Sequence, residues 1–147
     1  MSNENQIRVI TSGQYIKNLS FQNPLAQKIY TEKNASPKIN VSIDINGKKI
    51  NNTIFEVDLI VNVEAKLENE DMFNINLDYA GIFNIQNVED EERLKEILFI
   101  YCPSLLFPYT RRIVSDITRD ASFPPLMIET IDFSKLYESK KETLKKI

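Results

Sequence analysis

The chain of 147 residues contains no histidine, no tryptophan and a single cysteine. Without histidine there is no Ser-His-Asp triad, no Cys-His pair and no His-bearing zinc site. One cysteine closes no internal disulfide and builds no four-Cys cluster. The three glycines, Gly13, Gly47 and Gly81, are scattered, so there is no Gly-rich phosphate loop. Long apolar runs are missing too. The longest uncharged stretch, Ile97 to Thr110, falls short of the roughly 18 residues that span a bilayer, and Pro103 and Pro108 interrupt it. The start, Met1-Ser2-Asn3-Glu4-Asn5-Gln6, has neither the basic residues nor the apolar core of a secretion signal. The Asn18, Asn34 and Asn51 glycosylation patterns therefore carry no weight, and a cytoplasmic location is expected. Neither charge sign dominates. Lys and Arg number 18 against 21 Asp and Glu, a net charge of −3, which speaks against a dedicated nucleic-acid binder. What remains is carboxylate, lysine or hydroxyl chemistry, or none. The expectation is a protein that is not an enzyme and holds no cofactor and no metal.

What is present is an ordinary globular balance, 42% hydrophobic and 27% charged, long enough for one core. Residues 1–13 are polar and read as a flexible start. Gln14 to Phe21 reads as a strand ended by Asn23-Pro24, and Leu25 to Pro37 as an irregular connection. Lys38 to Ile45 alternates apolar and polar residues without error, the mark of a half-buried strand, and Asn46-Gly47 then predicts a two-residue hairpin. In the next strand Phe55, Val57, Leu59, Val61, Val63 and Ala65 share one face. Glu56, Asp58, Asn62 and Glu64 share the other, with Ile60 the apolar exception. Phe73, Ile75, Leu77, Tyr79, Gly81, Phe83 and Ile85 repeat the pattern after a charged turn. Such strands make an antiparallel sheet with one dry face.

Helices follow to cover it. Glu89 to Tyr101 reads as one, with acids in its first turn and an apolar stripe of Leu94, Ile97, Leu98 and Tyr101. A connection bracketed by Pro103 and Pro108 separates it from a second helix, Pro108 to Arg119. Ser122 to Leu126 reads as an extended loop. Asp132 caps a third helix that runs into a charged C-terminal helix or tail, residues 138–147. Strands first and helices afterwards define an α+β fold.

At this point a resemblance enters. Tyr15 to Pro24, Phe55 to Lys66, Tyr79 to Ile85, Tyr101-Cys-Pro-Ser-Leu-Leu-Phe-Pro-Tyr-Thr-Arg-Arg112, Phe123-Pro-Pro-Leu126 and Ile131-Asp-Phe133 resemble, in order, the SecB family of bacterial export chaperones. The resemblance runs from about Tyr15 to Tyr137 and gives a SecB-like domain at 14–137. It implies a four-stranded antiparallel sheet followed by helices packed on one face, and a homotetramer built as a dimer of dimers. The implied activity is that of an ATP-independent holdase. It binds unfolded precursor proteins in the cytosol, keeps them translocation-competent and delivers them to SecA, with no nucleic acid and no membrane insertion involved. By position in the family, the client groove would draw on Phe21, Leu25, Ile29, Tyr30, Ile39, Val41, Ile43, Phe123 and Leu126, each of which also reads as ordinary core. The SecA-facing sheet would present Asn18, Gln22, Asn74 and Asn76. Three of these, Asn18, Gln22 and Asn76, are amides where the family carries acids, with Glu56, Asp58 and Asp78 at hand to compensate. The basic C-terminal tail is a further departure.

Other features have plainer readings. Cys102, with no base or second thiol beside it, reads as packing. Arg111, Arg112 and Arg119 read as interface or solvent charges, and Glu89-Asp90-Glu91-Glu92 as a helix start. Three rival functions stand beside this one. A SecB-like chaperone of a toxin–antitoxin system would share the fold. A hot-dog thioesterase would need a polar catalytic residue at the central helix, which the stripe of Glu89 to Tyr101 does not offer. A passive assembly subunit would form the oligomer without suppressing aggregation.

Overall fold

The computed structural model describes residues 6–32 and 36–144, with side chains described through residue 141. Four strands, β1 (Arg8–Gln22), β2 (Lys38–Lys49), β3 (Ile54–Leu67) and β4 (Glu70–Gln86), form one antiparallel sheet in the order β1-β4-β3-β2. A short helix, α1 (Lys28–Thr31), lies in the β1–β2 connection, and α2 (Glu91–Glu96), α3 (Cys102–Asp120) and α4 (Phe133–Leu144) follow the sheet. The α+β expectation is met. The two central strands pair Phe55 with Phe83, Leu59 with Tyr79, Val61 with Leu77 and Val63 with Ile75, which brings both alternating sets to the same face. All of these side chains are buried beneath the helices. Each Leu- or Ile-sized member contributes about 1.5–3 kcal/mol by burial. The β3–β4 turn places Glu68 and Asn69 at φ 53° and 68°. Left-handed backbone at both central residues is the twist-matched two-residue hairpin.

Three departures from the sequence reading have physical causes. First, β1 starts at Arg8, inside the stretch read as a flexible start, of which residues 1–5 lie outside the described residues. Register shifts at Thr11/Gly13 and Ile16/Asn18 insert extra residues into β1. They break the period-2 pattern by which a strand is recognised. Second, Asn46-Gly47 is not a turn. Both residues stay in β2, opposite Asp58 and Val57, and the chain reverses over Ile50 to Ile54. There Asn51 Oδ1 accepts from the amides of Thr53 (3.1 Å) and Ile54 (3.0 Å). The Phe99 ring lies 3.5 Å from where a Cβ on Gly47 would stand, an ordinary packing distance, so the strand and not the glycine decides this backbone. Third, the break expected between Pro103 and Pro108 is absent. Helical backbone continues from Glu91 to Asp120 through one widened π turn, Ile97–Tyr101, immediately before Pro103. The wider turn shifts the hydrogen-bond frame where a proline would otherwise clash with the preceding turn. Ser104 Oγ donates to the Ile100 carbonyl at 2.6 Å.

Local signals that held are the Asp132 cap and the acidic start of the first helix. Asp90 accepts from the Glu92 amide at 3.1 Å, and Asp132 accepts from the amides of Ser134 and Lys135 at 3.0 and 3.2 Å. The expected C-terminal helix continues to Leu144, with residues 145–147 outside the described residues. α3 crosses β3 and β4 with Leu106, Phe107, Thr110, Val114 and Thr118 buried. α4 packs beside the π turn, with Tyr137 stacked on Phe99 and Phe133 edge-on to Phe107.

Gly81 marks the closest approach of α3 to the sheet. A Cβ there would sit 2.7 Å from the Phe83 ring and 2.9 Å from Leu106, both fully buried. Gly81→Ala should therefore lower stability by about 1–3 kcal/mol through overpacking. Thermal unfolding should show a lowered Tm of several degrees, at roughly 2–4 °C per kcal/mol for a chain of this size.

Candidate functional site

Where the helical layer ends, the dry face is left partly open. A cleft of about 330 Å³ lies there, bounded by Ile29, Pro37, Ile39, Met72, Phe73, Thr118 and the segment Ser122 to Leu126. Of the groove residues read from the sequence, Ile29, Ile39, Phe123 and Leu126 meet in this cleft. Its floor is Phe73, with the Phe123 ring at 4.7 Å and the Phe21 ring behind at 6.0 Å. Leu25 and Ile43 pack half-buried against the core. Val41, 39% exposed, borders a separate depression with Gln22 and Asn74, and Tyr30, 73% exposed, stands on α1 away from the cleft lining. Met72, Phe73 and Thr118 were not among the groove residues read from the sequence. Phe73 was legible only as a dry-face residue, and nothing local says that its end of the sheet stays uncovered.

The opposite sheet face is polar. Register places Gln22 against Asn74, Ser20 against Asn76 and Asn18 against Asp78, so the four residues assigned to SecA share one patch. Two of the nearby acids, Glu56 and Asp58, are engaged within the sheet. Lys17, carried over the sheet by the β1 bulge, donates to Glu56 at 2.7 Å and to Asp58 at 3.1 Å. Tyr15 Oη donates to the other Glu56 oxygen. These side chains reach from β1 to β3 across β4 because the residue between them is Ala80, which is small and fully buried. The hydrogen bonds from Lys17 and Tyr15 hold Glu56 below the usual carboxylate range. Burial, reinforced by the neighbouring Asp78 and opposed by Lys17, pushes Asp58 up to about 6. One Asp78 oxygen is buried with no hydrogen-bond partner.

The remaining candidates lie as follows. Cys102 is fully buried and burial pushes its thiol up to about 12, away from reactivity. Arg119 pairs with Asp116 at 3.2 Å on the surface of α3. Arg111 and Arg112 line a second cleft, of about 560 Å³, between α3 and the 127–133 segment. Among the described residues no group of three His, Cys, Asp or Glu side chains is placed to hold a metal ion.

An open apolar cleft on one side of a four-stranded antiparallel sheet and a polar face on the other define an α+β protein with two contrasting surfaces. Comparison with known proteins makes this specific. The family model described as preprotein translocase subunit SecB matches residues 2–144. The protein-export protein SecB of Parvibaculum lavamentivorans is 45% identical over 135 residues, covering 92% of this chain and 79% of that protein. That of Rickettsia akari is 39% identical over 140 residues, covering 95% and 91%. Among solved structures, a Mycobacterium tuberculosis SecB-like chaperone in complex with an antitoxin peptide superposes with a TM-score of 0.70 at 18% identity, over 84% of this chain and 91% of that one. The chain belongs to the SecB family, the chaperones of preprotein export.

Asp58 makes a pH prediction. Its folded-state pKa, about 6, lies above the ordinary 3.8, so folding favours the protonated form. That contribution is fully present below the ordinary value and is lost as pH rises through about 6. Asp58→Asn keeps an acceptor for Lys17 but removes the charge. Its Tm advantage over the unmodified chain should be greatest above pH 7 and should vanish by about pH 4, as read by thermal unfolding across that range.

Proposed function

We propose that this chain acts in the cytosol as a nucleotide-independent holdase, assembled as a homotetramer, that captures unfolded precursors in the apolar cleft and passes them to SecA across the polar sheet face. The observation that carries the reading is the cleft walled by Ile29, Ile39, Phe73, Phe123 and Leu126, an apolar opening against the core. Burying one client side chain there contributes about 1.5–3 kcal/mol, whereas micromolar binding needs about 8 kcal/mol net. Several clefts engaging one unfolded chain close that gap through effective concentration. Assembly is supported by the apolar surface the monomer leaves uncovered. β1 is an edge strand with Ile10, Ile16 and Leu19 exposed, and Tyr101 and Tyr109 stand out from the helical layer. Unpaired edges and exposed apolar patches of this kind mark interfaces. Among the described residues no helix is long and apolar enough to cross a membrane. The export reading is preferred to the toxin–antitoxin one because the named relatives at 39% and 45% identity are export proteins, while the antitoxin-bound neighbour shares only the fold.

Aggregation of an unfolded precursor should be slowed equally with and without ATP. Ile39→Asp, at a position 39% exposed on β2, should weaken that protection while light scattering still reports the tetramer mass. Strict ATP dependence would rule the reading out.

Docking to SecA turns on the amide patch. With Asn18, Gln22 and Asn76 neutral and Glu56 engaged by Lys17, the face attracts a basic partner weakly. Restoring charge with Asn18→Asp, Gln22→Glu and Asn76→Glu should strengthen binding to SecA at low salt, by about 0.2–1 kcal/mol for each exposed pair formed. The gain should shrink as the screening length falls from about 10 Å at 0.1 M salt to about 3 Å at 1 M. Calorimetry at both salts measures it, and no gain at low salt would place the contact elsewhere.

A further inference from the structure

Phe123 to Leu126 forms one wall of the apolar cleft, and this wall is extended chain, not helix or sheet. An extended rim with exposed amides would move freely; what holds this one is specific. Of its four residues, Pro124 and Pro125 have no amide hydrogen, leaving only the amides of Phe123 and Leu126 as donors. Both end on a single residue. The Phe123 amide donates to the Thr118 carbonyl at 3.0 Å, and the Leu126 amide donates to Thr118 Oγ1 at 2.8 Å. The hydroxyl in turn donates back into α3, shared between the carbonyls of Val114 and Ser115 at 3.0 Å each. Thr118 is fully buried, and the left-handed Ser122 (φ 70°) turns the chain so that the segment runs back past it. The hydroxyl orientation is thereby set by the helix, and its lone pair faces the rim.

We propose that Thr118 is the positioning residue of the client cleft: it clamps both ends of the Phe123–Leu126 wall, so that the Phe123 ring is held against Phe73 before a client arrives. This rests on the cleft being the client site. A preformed wall spares the ordering cost that a mobile one would charge at each binding event. The clamp favours clients that place an aromatic side chain beside Phe123, because only a fixed ring offers a fixed stacking partner.

The test uses the full chain and two fluorescent unfolded peptides that differ only by Phe or Ala at one position. Thr118→Val keeps shape and burial but leaves the Leu126 amide without an acceptor, and Thr118→Ser keeps the hydroxyl. Thr118→Val should bind the Phe peptide about tenfold more weakly and lose most of the Phe-over-Ala preference, while Thr118→Ser should stay within about twofold of the unmodified chain. Val57→Ala, a buried change on β3 outside the cleft lining, should lower Tm yet keep the preference. Equal loss of preference in Val57→Ala and Thr118→Val would reduce Thr118 to a stabilising residue and overturn the proposal. Phe123→Ala separates the two readings. If it abolishes the preference and Thr118→Val does not, the clamp is wrong and the cleft stands; if neither changes it, both fall. Hydrogen exchange of the unmodified protein gives a measure independent of folding defects. The Leu126 amide should be protected like the amides of α3 in the free chain, and exchange at the rate of an exposed loop would overturn the clamp.

Discussion

The structure depends on one constraint, a single sheet with one face that must be dry and one that must be wet. Every inward residue of β3 and most of those of β4 are buried, and a sheet of this kind is unstable until something apolar lies on it. The helical run from Glu91 to Asp120 is that cover. Its continuity through Pro103 follows from the need to cross β3 and β4 without a break, and the π turn is how the chain accommodates Pro103 on the way, while Pro108 sits inside α3. Gly81 answers the same demand from below, allowing Leu106 to come close to the strands.

The cover is shorter than the sheet is wide. At the end of the sheet that carries Phe73, regular structure gives way to the extended Phe123–Leu126 segment, and the cleft is the gap that remains. At the two edges the shortfall leaves Ile16 and Leu19 on β1 and Ile39 and Val41 on β2 exposed. Exposed side chains at both edges cost a lone monomer solubility and serve a protein whose work is to meet other chains. α4 partly shields the β2 edge, where Lys140 donates to the Ile43 carbonyl at 3.1 Å.

The wet face is organised by charge compensation. Lys17 and Tyr15 engage Glu56, and Lys17 also reaches the buried Asp58, so these two acids spend their charge inside the protein, while Asp78 lies opposite Asn18 without a cation among the described residues. The face keeps its hydrogen-bonding capacity and loses much of its field, which matters for the rate and salt dependence of association more than for its total strength.

The sequence by itself determined the three regular strands, the dry face, the acid-rich start of the first helix, the Asp132 cap and the α+β order, because each is written in local spacing: period 2, period 3.6, or an acceptor two or three residues before a free amide. It also carried the motifs of the family, and through them Ile29, Ile39, Phe123 and Leu126 of the cleft. Only the tertiary structure decided the rest. The bulges in β1 scramble its period, so its start at Arg8 is visible only through its pairing with β4. Asn46-Gly47 has the chemistry of a turn and becomes strand because β3 continues to pair with it, Asn46 opposite Asp58 and Gly47 opposite Val57. The prolines that read as a break sit inside one helix because the sheet beneath rewards its continuity. Thr118 reads as one more polar residue on a helix until the chain folds back and sets the Leu126 amide upon it. In each case the deciding partner lies far along the chain, and a local pattern carries no record of it.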